Sequence, residues 1–246
     1  MISSTQLFIP ILFFLAALLY SSVGHAGASG YLSIMALFGF APASMRPTAL
    51  TLNILVAVIA TYKFYRSGNF SWSIFWPFAL GSIPFAFIGG SITFPSHIYK
   101  VIVGLILLYS AYRLFLIKMI DQTMEAKRFP VWLGIVSGIV IGFLSGLTGV
   151  GGGIFLSPLL IFMGWAETRL TAGVSAAFIL VNSIAGLLGN PSSVSNLPAT
   201  LPILAIAVVI GGYIGAKYGS KRFDNITLRR LLALVLVIAG LKLIFT

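Results

Sequence analysis

The residues of this chain best suited to chemistry are glycines, and they come in two clusters. Ser145 to Phe162 reads SGLTGVGGGIFLSPLLIF, with five glycines from Gly146 to Gly153, and Gly24 to Gly30 reads GHAGASG. Both lie in stretches that are otherwise almost wholly apolar. A glycine backbone turns sharply and lets another atom approach closely. Where a helix starts after such a turn, its first N–H groups lack intrahelical partners and form the positive end of the dipole, a ready anion site. The chemistry on offer is recognition of a small anion by main chain. Gly149, Gly151, Gly152 and Gly153 supply it in one cluster, and Gly24, Gly27 and Ser29 in the other. Glycine also permits close packing of membrane helices, and each cluster taken alone fits either use.

A few polar side chains accompany the glycines. His25 lies inside the first cluster and is the one imidazole or acid outside the loops. A polar group within a membrane is by default a candidate for function, so His25 either caps a helix end, senses protons or touches the anion. Arg46 and Arg169 hold matched positions in RPTAL and RLTAG, each at the start of a helix. They serve as interfacial anchors or as gatekeepers drawing anions in from either side. Asn53, Ser175 and Asn182 follow within the next helices, where they hydrogen-bond substrate oxygens or neighbouring helices. The four acids, Asp121, Glu125, Glu167 and Asp224, fall in or beside loops. No carboxylate relay runs through the apolar segments, and an anion or neutral solute suits the chain better than a cation. Without cysteine, a His-Glu-x-x-His motif or a carboxylate pair in the apolar segments, we expect no enzyme, metal site or cofactor.

The elements that must position these residues follow from composition. Of 246 residues 59% are hydrophobic, 8% are charged, and the mean hydropathy is +1.08. Soluble domains carry about 25% charge, so this is an integral membrane protein. No Asp, Glu, Lys or Arg occurs in 1–45, 67–99, 129–166 or 170–216. A spanning helix needs about 20 apolar residues, and runs such as YKVIVGLILLYSAYRLFLI do not alternate, which favours helices over a barrel. A net charge of +11 would suggest nucleic acid in a soluble protein. Here it reads as Lys and Arg flanking membrane spans on the cytoplasmic side. The first residues, MISSTQLFIPILFFLAALLYSS, lack the positive start of a signal peptide and are read as retained.

The chain repeats itself. RPTAL and RLTAG are offset by 123 residues, and GYLS ending at Ser33 matches IFLS ending at Ser157. Each copy reads as an apolar limb, a glycine cluster, a second limb, Arg-x-Thr-Ala and three longer helices. The copies cover 7–117 and 130–245, joined by a polar linker at 118–129 that we place in the cytoplasm. With that linker inside, and with paired limbs returning to their own side, Arg46, Lys100 and Lys242 fall outside. The other twelve of the fifteen Lys and Arg fall inside, a strong positive-inside bias. All four tryptophans then lie near the inner interface, both termini face outside, and the copies are inverted. Inverted repeats are a recurring plan of secondary transporters, with the substrate site where the repeats meet.

Removing Gly146–Gly153 from the uncharged stretch between Arg128 and Glu167 leaves limbs of about 15 residues, or about 22 Å each at 1.5 Å per residue. That is short of a hydrocarbon core about 30 Å thick. The expectation is a re-entrant helical hairpin with the glycines at its tip. The fold expected is thus all-α and polytopic, two inverted repeats, each a re-entrant hairpin plus three transmembrane helices.

GFLSGLTGVGGGIFLSPLLIFMG followed by TAGVSAAFILVNSIAG resembles the sulfite exporter TauE/SafE family of small-anion permeases. The resemblance extends over essentially the whole chain, although GHAGASG stands where the first half would carry a glycine run. It implies alternating-access export of sulfite, a sulfonate or a related organosulfur anion across the cell's inner membrane. Uptake, another small anion, or a non-transporting membrane subunit are the alternatives. The partners expected are that anion and the lipid bilayer, with no nucleic acid.

Overall fold

The computed structural model describes residues 4–116, 130–219 and 226–245, and among these it is helical with no strand. Ten α-helices follow in order: α1 Ser4–Ser21, α2 Ala28–Leu37, α3 Pro42–Arg66, α4 Trp72–Ser91, α5 Ser96–Leu116, α6 Val131–Thr148, α7 Gly153–Phe162, α8 Thr168–Leu188, α9 Leu201–Gly219 and α10 Ile226–Phe245. A short 3-10 turn, Pro191–Asn196, joins α8 to α9. Helices α3, α4, α6, α8 and α9 are long and apolar enough to cross a membrane. Large apolar side chains such as Leu80, Leu105 and Ile206 face outward, each more than half exposed, as a multi-pass membrane protein requires. The expected linker at 118–129 lies outside the described residues.

Each glycine cluster sits between a long helix and a short one, α1 and α2 in the first case, α6 and α7 in the second. The limbs are unequal, 18 and 10 residues in both hairpins, where two limbs of similar length were expected. At 1.5 Å per residue they measure about 27 and 15 Å, and α6 reaches spanning length. The reason is local. Gly146 lies within α6 and serves its packing, since a Cβ there would collide with the Ala86 carbonyl. The turn starts only at Gly149, where φ is +83°, and Gly151 and Gly152 follow at +83° and +81°. Left-handed backbone three times in four residues ends the helix, and glycine alone adopts it without strain.

Glycines also set the helix pairing. Gly138, Gly142 and Gly146 of α6 seat against the carbonyls of Phe78, Ser82 and Ala86, so α6 runs parallel to α4 at backbone contact. Gly211, Gly215 and Gly219 of α9 seat in the same way against Phe14, Leu18 and Ser22, so α9 runs parallel to α1. Helices α3 and α8 are antiparallel. Gly173 meets Asn69 and Phe64 at one end of the pair, and Gly186 meets Leu50 at the other. Helices α5 and α10 cross antiparallel where Gly104 and Gly240 face each other.

Two apolar cores complete the packing. One gathers Phe13, Tyr31, Leu52, Leu107 and Leu236 from α1, α2, α3, α5 and α10. The other gathers Phe78, Leu156, Trp165 and Phe178 around α4, α7 and α8. Of the tryptophans expected at the inner interface, Trp72, Trp76 and Trp132 are exposed, but Trp165 is buried against Phe78.

Candidate anion site at the hairpin tips

Helix α8 shows how the two tips stand to each other. Gly24 lies against Ala172, Gly153 and Gly151 against Ile179, Gly151 also against Ser183, and Gly146 against Gly186. These contacts span 15 residues of the 21-residue helix, about 21 Å. Both tips therefore lie along the body of α8. They also touch each other, because a Cβ at Gly153 would lie 3.3 Å from His25 Cδ2.

His25 is the hinge of this contact. Its Nε2 is 3.2 Å from Ser157 Oγ, one helical turn into α7, and Ser157 Oγ is 2.8 Å from Ser175 Oγ on α8. Three residues that are 132 and 18 positions apart in sequence form one polar chain. The ring's other nitrogen, Nδ1, lies 3.1 Å from the Val23 carbonyl. A carbonyl only accepts, so Nδ1 carries a proton and, in the neutral ring, Nε2 accepts from the Ser157 hydroxyl.

Above this chain stands the first turn of α7. Among the described residues, the N–H groups of Gly151, Gly152, Gly153 and Ile154 donate to no backbone carbonyl, whereas Phe155 and Leu156 already bond to Gly152. On its other side Gly151 meets Asn53 of α3. Asn53 Nδ2 reaches the Val150 carbonyl and Ser183 Oγ at 3.4 Å each, and its Oδ1 has no partner. The second tip thus brings together free N–H groups, three hydroxyls, an imidazole and an amide.

The first tip is arranged differently. Tyr31 closes over Gly27, with its ring 2.8 Å from where a Cβ would stand and its hydroxyl donating to the Ala26 carbonyl at 2.5 Å. Ser29 donates to Tyr20 at 2.7 Å. Aromatic side chains occupy the space beside the α2 N-terminus, so Gly24, Gly27 and Ser29 shape the tip from within, and His25 is the residue that reaches the second tip. Asn182 is fully buried, but its Nδ2 turns back onto the Phe178 carbonyl at 2.8 Å. Arg46 is buried at the start of α3 while Arg169 is exposed at the start of α8, at opposite ends of the antiparallel pair. The two arginines therefore stand apart, one at each end of the pair.

Ser157 and Ser183 were not singled out in the sequence as site residues. Ser157 was visible only as the end of the repeated IFLS. Its place one turn after the glycine cluster was the signal that could have identified it.

Comparison with known proteins agrees with this architecture. The model of the sulfite exporter TauE/SafE family matches residues 9–243. A probable membrane transporter protein of Sinorhizobium fredii is 41% identical over 96% of this chain and 97% of its own length. Probable membrane transporter proteins of Methanocaldococcus jannaschii and Bacillus subtilis are 28% and 25% identical, covering 79% and 90% of this chain and 76% and 92% of theirs. No solved structure matches at a significant level. With the family profile spanning nearly its whole length, the chain belongs to the sulfite exporter TauE/SafE family.

Proposed function

We propose that this protein is a membrane transporter, not an enzyme, that moves a small sulfur-containing anion such as sulfite or a sulfonate by alternating access, in the direction of export. The observation that carries the reading is the convergence of the α7 N-terminus with His25, Ser157 and Ser175 in the body of α8. An oxyanion there accepts from the free N–H groups at Gly151 to Ile154 and from the serine hydroxyls. It needs no buried lysine, and such hydrogen bonds to a charged group are roughly twice as strong as neutral ones. Irregular backbone at this depth is tolerated where it lines a site.

Alternating access draws support from the helix directions. The segments 7–117 and 130–245 correspond as two inverted repeats. Under that correspondence α3 matches α8 and α5 matches α10, and each matched pair is antiparallel in contact. The α4·α6 and α9·α1 pairings correspond as well. A two-fold axis in the membrane plane produces this pattern, and rocking one copy against the other exposes the shared site to either side.

His25 gives the site a proton dependence. When the ring takes up a second proton, Nε2–H donates to Ser157 Oγ, and the Ser157 hydrogen is free to turn to the anion. The aromatic ring of Tyr20 stands 6.4 Å from that of His25, centroid to centroid.

Thermal melting of the purified protein across a panel of anions, cations and neutral solutes tests the reading. Saturating sulfite is expected to raise stability by about 3 kcal/mol at a hundredfold excess over Kd. The rise should shrink in His25→Gln. Stabilisation by cations or neutral solutes alone would overturn the anion assignment.

A further inference from the structure

A second place in the molecule calls for an anion, and the glycine tips do not account for it. Arg46 is 9% exposed, and its Nη1 donates to the carbonyls of Ile92 at 2.8 Å and Leu147 at 3.4 Å. Both acceptors are neutral. The one described acid, Glu167, lies at the start of α8, the far end of the antiparallel α3–α8 pair. A nearly buried guanidinium is costly without a counter-charge, and among the described residues the protein supplies none.

Arg46 lines an open cavity of about 270 Å³ whose other polar walls include Thr93, Ser96, Tyr99, Asn190 and Ser193. No acid lines it. Ser96 begins α5, a helix of 21 residues, and Tyr99 is the first residue of that turn whose N–H bonds to a carbonyl, that of Pro95. The positive end of α5 therefore opens on the same space as the guanidinium. Arg46 also stands beside the second tip, since a Cβ at Gly149 would stand 3.0 Å from Arg46 Cγ. Tyr99, which lines the cavity, donates to the Thr148 carbonyl at 3.2 Å and so ties α5 to the end of α6.

We propose that this cavity is a separate entry site for a small oxyanion, held between the Arg46 guanidinium and the first turn of α5. An anion there supplies the missing counter-charge. It competes with the Ile92 and Leu147 carbonyls for the Arg46 donors, and so loosens the contact that holds the ends of α4 and α6 over the tip. The inference rests on the reading of the protein as a transporter of small anions, but its test is independent of transport.

The chain has no cysteine, so a single Ser96→Cys variant reports on the cavity alone. Its reaction with an anionic methanethiosulfonate is expected to outpace reaction with a cationic one by about tenfold, the focusing expected of a charged cleft. Sulfate is expected to slow the anionic reagent where gluconate at the same ionic strength does not. Arg46→Gln in that background should abolish both the charge preference and the protection, and Arg46→Lys should keep the preference. Absence of sulfate protection in the Ser96→Cys protein overturns the proposal, whether or not Arg46→Gln folds. Protection that survives in a folded Arg46→Gln protein overturns it equally. A protein that fails in flux assays yet shows Arg46-dependent protection would keep this site while removing the transport reading.

Discussion

At the scale of residues, the polar chain from His25 through Ser157 to Ser175 carries the account. Ser157→Ala removes its middle member and one hydrogen-bond donor to the anion. Sulfite affinity is expected to fall by about 2 kcal/mol, the usual loss of a hydrogen bond to a charged group, while thermal stability without ligand changes little. The proposed role of His25 predicts that affinity rises as pH falls and that His25→Gln flattens that dependence. Isothermal titration at several pH values measures both. The sequence exposed His25 and Ser175 because each is a polar residue in an apolar run. Ser157 went unnoticed because serine is common in membrane helices, and its two partners lie 132 and 18 positions away.

At the scale of elements, glycines of one cluster do two jobs that the sequence does not separate. Gly146 belongs to the α6 interface and Gly151 to the tip, and their backbone conformation and their neighbours, the Ala86 carbonyl and the Asn53 side chain, tell them apart. Hence the hairpins and the start of α7 were legible, whereas the unequal limbs were not. Gly146→Val should separate α4 from α6 and cost about 3 kcal/mol or more, as overpacking against rigid backbone does. Gly68→Ala, at a left-handed turn with open space around it, should cost about 1 kcal/mol. Gly151→Ala stands between them in stability, yet it should abolish anion-dependent stabilisation, because its Cβ would enter at 2.8 Å from Asn53 Nδ2. Melting curves in detergent, with and without sulfite, rank the three.

At the scale of the whole molecule, the repeat offset and the charge asymmetry were readable because both are one-dimensional patterns. That the two tips approach each other was expected from the opposed copies, and they touch at His25 and Gly153; which residues make the contact was not legible, because it depends on how the helices pack. The proposed inverted arrangement predicts that Ser67, after α3, and Ser192, after α8, face opposite sides of the membrane. Both are exposed, and single cysteines at these positions should react with an impermeant reagent from opposite faces of sealed vesicles, Ser67→Cys from the cytoplasmic one. Reaction of both from one face would rule out inversion.

The most direct test of the central claim is flux of radiolabelled sulfite in proteoliposomes containing the purified protein. The account predicts saturable flux that faster-binding small anions compete for, that Ser157→Ala and Gly151→Ala each reduce at least tenfold, in line with a loss of about 2 kcal/mol. No flux above empty liposomes with sulfite, a sulfonate or any other small anion would contradict it.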